Sequence, residues 1–496
     1  MYNDATIDEI NEIMQQAWKA FHVYRKFSLK QRADFMRAIA VELEKCGDDL
    51  IHTAMRETNL PEARMKNERG RTIFQLNQYA AACEEGTWLE ARIDTAVPDK
   101  NPPKPDIRKM LVPLGPVVVF GASNFPFAYS TAGGDTACAL AAGCPVIVKA
   151  HPAHAETSET VAGAILRAAK TCKMPEGIFA HVHGASVEPD SYRVGKALVE
   201  HPHTKAVGFT GSYLGGKQLF DWGNQRKEPI PVFAEMGSIN PVFLLPEKLK
   251  QSAEDIAKMY AGSITLGVGQ FCTNPGLIIG LESEGLQTFI KALGEEIKNT
   301  SPGTMLHPGI FKSYVEKRAL ALIQEDVETV AVSEKDPAFN QGMPTIATAT
   351  GEAFLKNPVL HQEVFGPYSI VIHCKDMTEM IAVARNLEGQ LTATLMATET
   401  DIHYHEELVE AIKNICGRFI LNGVPTGVEV CLSMHHGGPF PATTDPRFTS
   451  VGADGIKRFA RPICYQNWSN DLLPEELKNE NSLRIWRTVN NVLTTG

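Results

Sequence analysis

From residue 116 onward, short apolar segments alternate with segments of helical pattern. The stretches 116–120 (PVVVF), 145–150 (PVIVKA) and 204–209 (TKAVGF) are each followed by residues with a helix-like spacing of apolar side chains. Strands that are apolar throughout and alternate with helices are typical of parallel sheets covered on both faces. A second series of the same kind occupies residues 240–440. The pattern therefore predicts an α/β protein with two parallel-sheet α/β domains.

The segments outside these two series have different patterns. Residues 1–88 have helical spacing, and capping boxes beginning at Thr6 and Ser28 mark the starts of two amphipathic helices. Residues 89–110 contain a proline cluster and a broken alternation of apolar and polar residues. This composition favours an extended excursion over a part of the compact core. The tail, residues 471–496, is expected to form a terminal helix.

Composition and charge exclude several classes of partner. The 496 residues are 44% hydrophobic and 21% charged with a formal net charge of −10, which argues against a nucleic-acid or anionic-membrane surface. No apolar run approaches the ~18 residues of a membrane span, and the first residues lack the pattern of a secretory signal. The ten cysteines are scattered, with no CxxC pair or metal-like spacing. We expect a cytoplasmic protein with reduced thiols, no nucleic-acid or membrane partner and no bound metal.

One cysteine lies in an unusual setting. The segment GVGQFCTNPG (267–276) places Cys272 among glycines and before Pro275, which keeps the segment from continuing as a helix. Reactive groups are often presented on irregular loops of this kind. A small buried hydrophobe is the commoner fate of a free cysteine. On this segment alone, both a nucleophilic and a structural Cys272 remain open.

The segment FTGSYLGG (209–216) joins an apolar strand to a helix through small residues. In this geometry Thr210, Gly211 and Ser212 direct backbone N–H groups and the positive end of the helix towards an anion such as a pyrophosphate. The segment is not a GxGxxG motif, and no such motif follows an early strand. Turns of glycine and serine also serve as plain helix caps.

Two further polar residues follow apolar stretches. Glu235, in FAEMGSINP (233–241), is a candidate general base, because burial tends to raise the pKa of a carboxyl towards neutrality. Asn124, in GASNFPF (121–127), carries a side-chain amide that can donate to an oxyanion. The alternatives are a structural hydrogen-bond acceptor for Glu235 and a helix cap for Asn124.

Together these segments resemble the aldehyde dehydrogenase superfamily over nearly the whole chain. The ordered set comprises Asn124, Lys149, FTGS, Glu235-x-Gly, GQFCT and EVFGP (363–367). ASNFPF stands where many members have Pro-Trp-Asn-Phe-Pro, so the asparagine is kept without the preceding aromatic residue. The resemblance implies an oxidoreductase that binds a small-molecule aldehyde and assembles as a homodimer or homotetramer. The implied parts are an NAD(P)-binding domain (1–88 and 111–240), a catalytic domain (241–438) and an oligomerisation arm (89–110 and 439–470).

The resemblance also implies roles for individual residues. Cys272 would be the nucleophile that forms a thiohemiacetal and then a thioester, Asn124 would stabilise the alkoxide, and Glu235 would activate the hydrolytic water. The residues expected to bind the cofactor are Lys149, His151, Arg193, Thr210, Gly211, Ser212, Gly215, Glu235, Met236, Gly237, Glu363 and Phe365. The residues expected to line the substrate tunnel are Phe125, Ala128, Tyr129, Phe271 and Thr273.

The loop after Lys149 bears on the choice of cofactor. Discrimination against NADP relies on an acidic side chain that binds the ribose 2′-OH. Many relatives carry a glutamate three residues after this lysine, whereas this chain continues Ala-His-Pro and its first carboxylate is Glu156. Lys149, His151 and Arg193 offer positive charge and donors to a 2′-phosphate. We predict that NADP is preferred and NAD accepted; the alternative is that the histidines are ordinary loop residues.

Three segments narrow the expected substrate. VKAHPAHAETSE, NGVPTGVEVC and HGGPFPATTD look like the branch of the family that oxidises 2-oxoglutarate semialdehyde (2,5-dioxopentanoate) to 2-oxoglutarate. The alternatives are an NADP-preferring dehydrogenase of medium- or long-chain fatty aldehydes, and a catalytically silent binding or structural protein of the same fold. A coenzyme A-acylating relative is disfavoured by Glu235. No arginine lies in the loops assigned to the active site, so the partner of a substrate carboxylate is left open.

Overall fold

The structure is a computed structural model that describes residues 2–184 and 193–496. The α-helices of these residues are α1 (Ile7–Tyr24), α2 (Leu29–Lys45), α3 (Gly47–Thr58), α4 (Glu62–Glu85), α5 (Gly134–Ala142), α6 (Ala155–Thr171), α7 (Arg193–Glu200), α8 (Tyr213–Gln225), α9 (Pro246–Thr265), α10 (Glu284–Asn299), α11 (Pro308–Leu322), α12 (Gly351–Lys356), α13 (Met377–Asn386), α14 (Glu399–Tyr404) and α15 (Glu406–Lys413).

The β-strands are β1 (Arg92–Asp94), β2 (Ile107–Pro113), β3 (Val117–Phe120), β4 (Val146–Lys149), β5 (Phe179–Val182), β6 (Ala206–Thr210), β7 (Val232–Glu235), β8 (Val242–Leu244), β9 (Leu277–Leu281), β10 (Gly303–Thr304), β11 (Val327–Val332), β12 (Gln341–Gly342), β13 (Thr345–Thr350), β14 (Tyr368–Cys374), β15 (Gln390–Met396), β16 (Cys416–Leu421), β17 (Ala460–Gln466), β18 (Arg487–Val489) and β19 (Val492–Thr494).

The first large sheet is parallel throughout, with strand order β5-β4-β3-β6-β7. Its strands are apolar on both faces because a separate core packs on each face. Val117 and Val119 of β3 belong to one core, and Val118 and Phe120 belong to the other. Parallel strands end at the same edge of the sheet. This edge carries the ends of β4, β6 and β7, and hence Lys149, Thr210 and Glu235.

The second large sheet has the order β11-β13-β14-β9-β8-β15-β16. It is parallel except for the antiparallel edge strand β11. Cys272 lies in the loop between α9 and β9, next to the centre of this sheet. The two parallel-sheet α/β units predicted from the alternation of strands and helices are therefore confirmed.

A third sheet, with order β17-β2-β1-β18-β19, joins distant parts of the chain. Its longest ladder runs antiparallel between β2 and β17, so the excursion after residue 89 pairs with the segment after residue 439. The expected tail helix in 471–496 is wrong, because these residues form two short 3-10 turns and the strands β18 and β19. Pro474 and positive φ angles at Asn481, Arg484 and Asn490 turn the chain sharply, which a helix does not tolerate.

The N-terminal helices frame the first sheet. Both predicted capping boxes are present, at Thr6 on α1 and at Ser28 on α2. The helix α4 ends at Gly86, whose φ of 73° is the left-handed conformation that suits glycine. One face of α4 packs on the loop after β3, since Glu68 accepts hydrogen bonds from the backbone of that loop. Among the described helices, none is long and apolar enough to span a membrane.

Candidate active site

A cleft runs along the carboxyl ends of the first sheet and is also lined by loops of the second sheet. Its empty volume is about 1140 Å³. Eleven of the residues expected to act in catalysis or cofactor binding line it, namely Asn124, His151, Thr210, Gly211, Ser212, Gly215, Glu235, Met236, Cys272, Glu363 and Phe365. The edge of an open parallel sheet is where α/β proteins bind their ligands.

Three groups capable of proton transfer meet at this cleft. The Nε2 atom of His436 lies 3.6 Å from Sγ of Cys272 and 3.0 Å from Oε1 of Glu235. The hydroxyl of Ser450 donates to the other oxygen of Glu235. Glu235 and His436 are only 3% and 1% exposed, so these contacts are shielded from solvent. The cluster therefore places a partly exposed thiol beside a buried imidazole and a buried carboxylate.

The thiol of Cys272 is neutral at rest. Burial raises its pKa well above the ordinary value, and the neighbouring Glu235 carboxylate raises it further. A neutral thiol is a weak nucleophile, so a base must remove its proton during attack. Glu235 is the group placed to accept this proton, and His436 contacts both the thiol and the carboxylate.

The expectation of a raised pKa for Glu235 is wrong. Burial alone would raise it, but the charge and hydrogen bond of His436, together with hydrogen bonds from Ser450 and Cys272, outweigh burial and lower the pKa. Glu235 is consequently ionised at neutral pH. An ionised carboxylate next to the thiol is ready to accept a proton without prior titration.

The loop that carries Cys272 is held in a tight conformation. Gly269 has a φ of 64°, and a Cβ there would lie 2.2 Å from the carbonyl oxygen of Gly366. Nδ2 of Asn240 donates to the carbonyl of Cys272 at 2.9 Å. The amide of Asn124 donates to the carbonyl of Gln270 at 3.1 Å. The glycine in this loop thus permits a close backbone approach, and Asn124 lies against the cysteine loop.

Neither His436 nor Ser450 was found from the sequence. They are 164 and 178 residues from Cys272 along the chain, so no local spacing connects them. Both belong to a segment that pairs with the edge of the first sheet, where Thr444 N donates to the carbonyl of Ala234. His436 begins the segment HGGPFPATTD, which bore on the substrate alone, and the sequence assigned no role to the histidine itself.

The first turn of α8 fits an anionic group. Ser212 caps this helix, and its side chain accepts a hydrogen bond from Gly215 N at 3.2 Å. Both residues line the cleft, so the positive end of the helix faces it. Gly237 does not line the cleft, but a Cβ there would lie 2.8 Å from Oε2 of Glu363. Burial raises the pKa of Glu363 to about 7.

The three residues expected to bind a 2′-phosphate differ in their surroundings. Lys149 ends β4, and burial lowers its pKa to about 8. Burial and the neighbouring His154 and Lys149 lower the pKa of His151 well below its usual value, so His151 is neutral and supplies a donor but no charge. Its Nδ1 atom accepts from Ala153 N, which leaves Nε2 to carry the proton. Arg193 is exposed at the start of α7.

The aromatic residues expected in the substrate tunnel form one group beside the cysteine. The ring of Phe125 lies 5.2 Å from that of Tyr129 and 5.7 Å from that of Phe271. The ring of Tyr129 lies 6.4 Å from that of His436. Ala128 and Thr273, also expected there, are buried. These rings form an aromatic cluster beside Cys272, and their role in a substrate tunnel stays a prediction.

Fold and site together define an α/β protein in which a partly exposed cysteine lies beside a buried carboxylate and imidazole, on a cleft at the carboxyl edge of a parallel sheet. The sequence profile of the family described as "Aldehyde dehydrogenase family" matches residues 1–439. The chain belongs to the aldehyde dehydrogenase family, as the resemblance of its motifs predicted.

Two relatives are similar over nearly their whole length. The chain is 45% identical to "Alpha-ketoglutaric semialdehyde dehydrogenase" of Acinetobacter baylyi, over 100% of this chain and 93% of the relative. It is 46% identical to "Alpha-ketoglutaric semialdehyde dehydrogenase 2" of Azospirillum brasilense, over 97% of this chain and 90% of the relative. Among solved structures, 1-pyrroline-5-carboxylate dehydrogenase from Thermus with bound NAD shares the fold, with a TM-score of 0.77, 19% identity and coverage of 94% of this chain and 86% of that one.

Proposed function

We propose that the protein oxidises 2-oxoglutarate semialdehyde to 2-oxoglutarate through covalent intermediates on Cys272, with NADP or NAD as the hydride acceptor. The observation that carries the proposed chemistry is the contact of Cys272 with His436, which also contacts Glu235, at the end of the cleft. The substrate is proposed from the two relatives that share 45% and 46% of their residues with this chain and bear that substrate in their names.

The first step forms a bond between Sγ of Cys272 and the aldehyde carbon. The thiol proton passes to the pair formed by His436 and Glu235, which is within 3.6 Å of the sulfur. The resulting alkoxide is stabilised by the amide of Asn124 and the backbone N–H of Cys272. Because the resting thiol is neutral, it loses its proton only while the sulfur attacks the aldehyde carbon.

The second half of the reaction releases the acid. A bound nicotinamide dinucleotide supplies the hydride acceptor. After the thiol proton has been released to solvent, Glu235 takes a proton from the water that attacks the thioester carbonyl and passes it to the departing sulfur of Cys272, while the proton of the carboxylic acid product is lost to solvent. The lowered pKa of Glu235 keeps it ionised for this step. Burial of the site limits access of other nucleophiles to the thioester.

The dinucleotide is bound by residues that line the cleft and by two that do not, Lys149 and Arg193. The first turn of α8, with Ser212, receives the pyrophosphate, and Glu363 binds the nicotinamide ribose. Lys149 binds the adenine ribose and, with His151 and Arg193, a 2′-phosphate. Support comes from the free helix end on the cleft and from the lack of a carboxylate between Lys149 and Glu156. NADP is therefore the preferred cofactor, with NAD accepted.

The third sheet serves as the oligomerisation arm of a cytoplasmic homodimer or homotetramer. Apolar side chains on its terminal strands are open to solvent, with Val492 64% and Leu493 65% exposed in the single chain. Exposed apolar side chains next to unpaired strand edges are features of surfaces that associate. The proposal keeps the limits of the NAD(P)-binding domain (1–88 and 111–240) and of the catalytic domain (241–438), and extends the arm (89–110 and 439–470) by β18 and β19.

The substrate is tested by the kinetics of the purified enzyme. We expect kcat/KM for 2,5-dioxopentanoate to exceed that for hexanal or benzaldehyde by about 10-fold or more, because a charge-assisted contact to a carboxylate contributes that much. Both cofactors are used at saturation. A kcat/KM that rises steadily with aliphatic chain length and exceeds that of dioxopentanoate would assign the protein to fatty aldehydes.

The cofactor preference is expected to depend on pH through Lys149. Burial lowers its pKa to about 8, so its charge is present at pH 7 and is lost as the pH rises towards 9. The 2′-phosphate is already doubly charged over this range. The ratio of kcat/KM with NADP to that with NAD should therefore fall by about 10-fold between pH 7 and 9.

In the Lys149→Ala variant this ratio should be low and independent of pH. Lys196, an exposed lysine on α7, offers a matched control, and Lys196→Ala should follow the wild type. A ratio that is flat with pH in the wild type, or one that still falls in Lys149→Ala, would remove Lys149 from the phosphate site.

A further inference from the structure

Arg71 on α4 has two buried donors with no partner. Its Nε and Nη2 atoms make no hydrogen bond within residues 2–184 and 193–496, although both are buried. Leaving buried donors unpaired is costly, and such groups in a folded protein call for an explanation. These two atoms are adjacent on the guanidinium and point the same way, so together they form a fork that matches the two oxygens of a carboxylate.

The same fork binds carboxylates elsewhere in this chain. Nε and Nη2 of Arg108 donate to the two oxygens of Asp106 at 2.9 and 3.2 Å. Nε and Nη2 of Arg447 donate in the same manner to Asp445 at 2.8 and 2.5 Å. The unpaired edge of Arg71 is therefore the edge that this protein uses for bidentate contacts to carboxylates.

Arg71 faces the aromatic group beside the nucleophile. Its Cζ atom lies 6.0 Å from the ring centre of Tyr129, and that ring is next to those of Phe125 and His436. His436 in turn contacts Cys272. The ring of Tyr129 thus lies between the guanidinium of Arg71 and the cluster formed by His436 and Cys272.

Helix α4 carries Arg64 and Arg71 on the face towards the aromatic rings beside Cys272, with Glu68 between them. Residues 64, 68 and 71 share one face of α4 because they are three and four residues apart. Oε1 of Glu68 is occupied by the backbone N–H groups of Phe127 and Ala128, at 2.9 and 3.1 Å. Two guanidinium groups and one carboxylate leave this face with a positive charge, which favours an anion.

Arg64 is less free than Arg71 to bind a substrate. Its guanidinium is stacked between the rings of Phe125 and Phe271, 4.8 and 4.4 Å from their centres. Its Nη2 atom donates to the carbonyl of Asn124 at 2.9 Å, and only Nη1 is buried without a partner. The role that fits these contacts is to position Asn124 and the two aromatic rings.

We propose that the Nε/Nη2 fork of Arg71 binds the carboxylate of the aldehyde substrate and so selects ω-oxo acids over uncharged aldehydes. This inference rests on the proposed function, whose substrate carries a carboxylate at the end opposite the aldehyde. The loops assigned to the active site from the sequence contain no arginine that could bind a substrate carboxylate. Arg71 supplies that cation from α4, which is far from those loops in sequence.

The test compares carboxylated aldehydes with uncharged ones of the same length. The pairs are 2,5-dioxopentanoate with pentanal, and succinate semialdehyde with butanal. In Arg71→Met, kcat/KM for the carboxylated member should fall by about 30- to 100-fold, mainly through KM. For the uncharged member it should change by less than about threefold. Arg71→Lys keeps the charge without the fork and should recover only part of the loss.

Two neighbouring arginines serve as controls. Arg69 lies on another face of α4 and donates to the carbonyl of Gly47, so Arg69→Met should leave both members of each pair unchanged. Arg64→Met should lower the rates of both members alike, since Arg64 acts through Asn124. If Arg71→Met does not fold, as judged by its thermal unfolding, the Arg71→Lys variant decides the question with the same substrates.

The outcomes separate this inference from the proposed function. An Arg71→Met or Arg71→Lys enzyme that keeps the full wild-type preference for carboxylated aldehydes overturns the role of Arg71 and leaves the substrate standing. If the wild type prefers succinate semialdehyde to butanal but does not prefer dioxopentanoate to pentanal, the proposed substrate is overturned. In that case, loss of the preference for succinate semialdehyde in Arg71→Met still supports the role of Arg71. A wild type without preference for any carboxylated aldehyde overturns both.

Discussion

Replacing Cys272 by alanine is expected to abolish dehydrogenase activity, with a loss of about 10²-fold or more in kcat. In the proposed mechanism this side chain supplies the sulfur to which the aldehyde bonds, and among the described residues no other thiol contacts both His436 and Glu235. Binding of NADPH, followed by its fluorescence, should remain close to that of the wild type. The expected result is an inactive protein that still folds and still binds cofactor.

The control for this variant is another cysteine of the same chain. Cys431 is exposed, and Cys431→Ala should keep wild-type turnover. If Cys272→Ala retained more than a few per cent of the activity in preparations free of wild-type enzyme, the covalent mechanism would have to be abandoned. Loss of activity together with loss of the folded state would instead call for the more conservative Cys272→Ser.

Replacing Glu235 by glutamine is expected to separate the two halves of the reaction. The amide cannot accept a proton from water, so hydrolysis of the thioester should slow by about 10²-fold or more. His436 still contacts the thiol, so the first half should proceed. Stopped-flow mixing should show a burst of about one NADPH per active site, followed by a very slow steady rate.

The absence of this burst would change the assignment of Glu235. With Cys272 intact, a missing burst would mean that the carboxylate is needed to remove the thiol proton, either directly or through His436. A burst with an unchanged steady rate would mean that another group activates the water. Glu228, an exposed glutamate paired with Lys205, gives a matched control, and Glu228→Gln should have wild-type kinetics.

Much of the fold follows from patterns that are local in sequence. Strands such as β3 and β9 are apolar on both faces, and this pattern identifies a sheet between two layers of helices. The strand β5 was not predicted, because His181 interrupts its apolar run. The prediction of a helix in the tail was wrong because it relied on the spacing of apolar residues. In the structure, asparagines with positive φ turn the chain, and β18 pairs with the edge of β1.

The candidate site could be predicted only in part, because only some of its residues lie in segments with a recognisable local pattern. Cys272, Glu235 and Asn124 each lie in a short segment whose composition marks it, and the structure places all three on one cleft. Neither His436 nor Arg71 was assigned a role from the sequence, because the segment that begins at His436 bore only on the substrate and Arg71 lies within an ordinary helical pattern. Only the folded chain brings them within reach of the cysteine loop or its aromatic neighbours. The lowered pKa of Glu235 likewise depends on partners that are distant in sequence.

The segment that contacts the edge of the first sheet also determines how the chain can be divided. Glu235 ends β7 of the first sheet and Asn124 follows β3 of that sheet, Cys272 precedes β9 of the second sheet, and His436 and Ser450 lie in the stretch that leads into β17. No contiguous fragment shorter than residues 124–450 contains all five. A single cut within that span leaves two pieces that are each chemically incomplete, so activity would return only when both pieces reassociate. The proposed catalytic residues therefore require the whole span from 124 to 450, even though the fold is built from separate sheets.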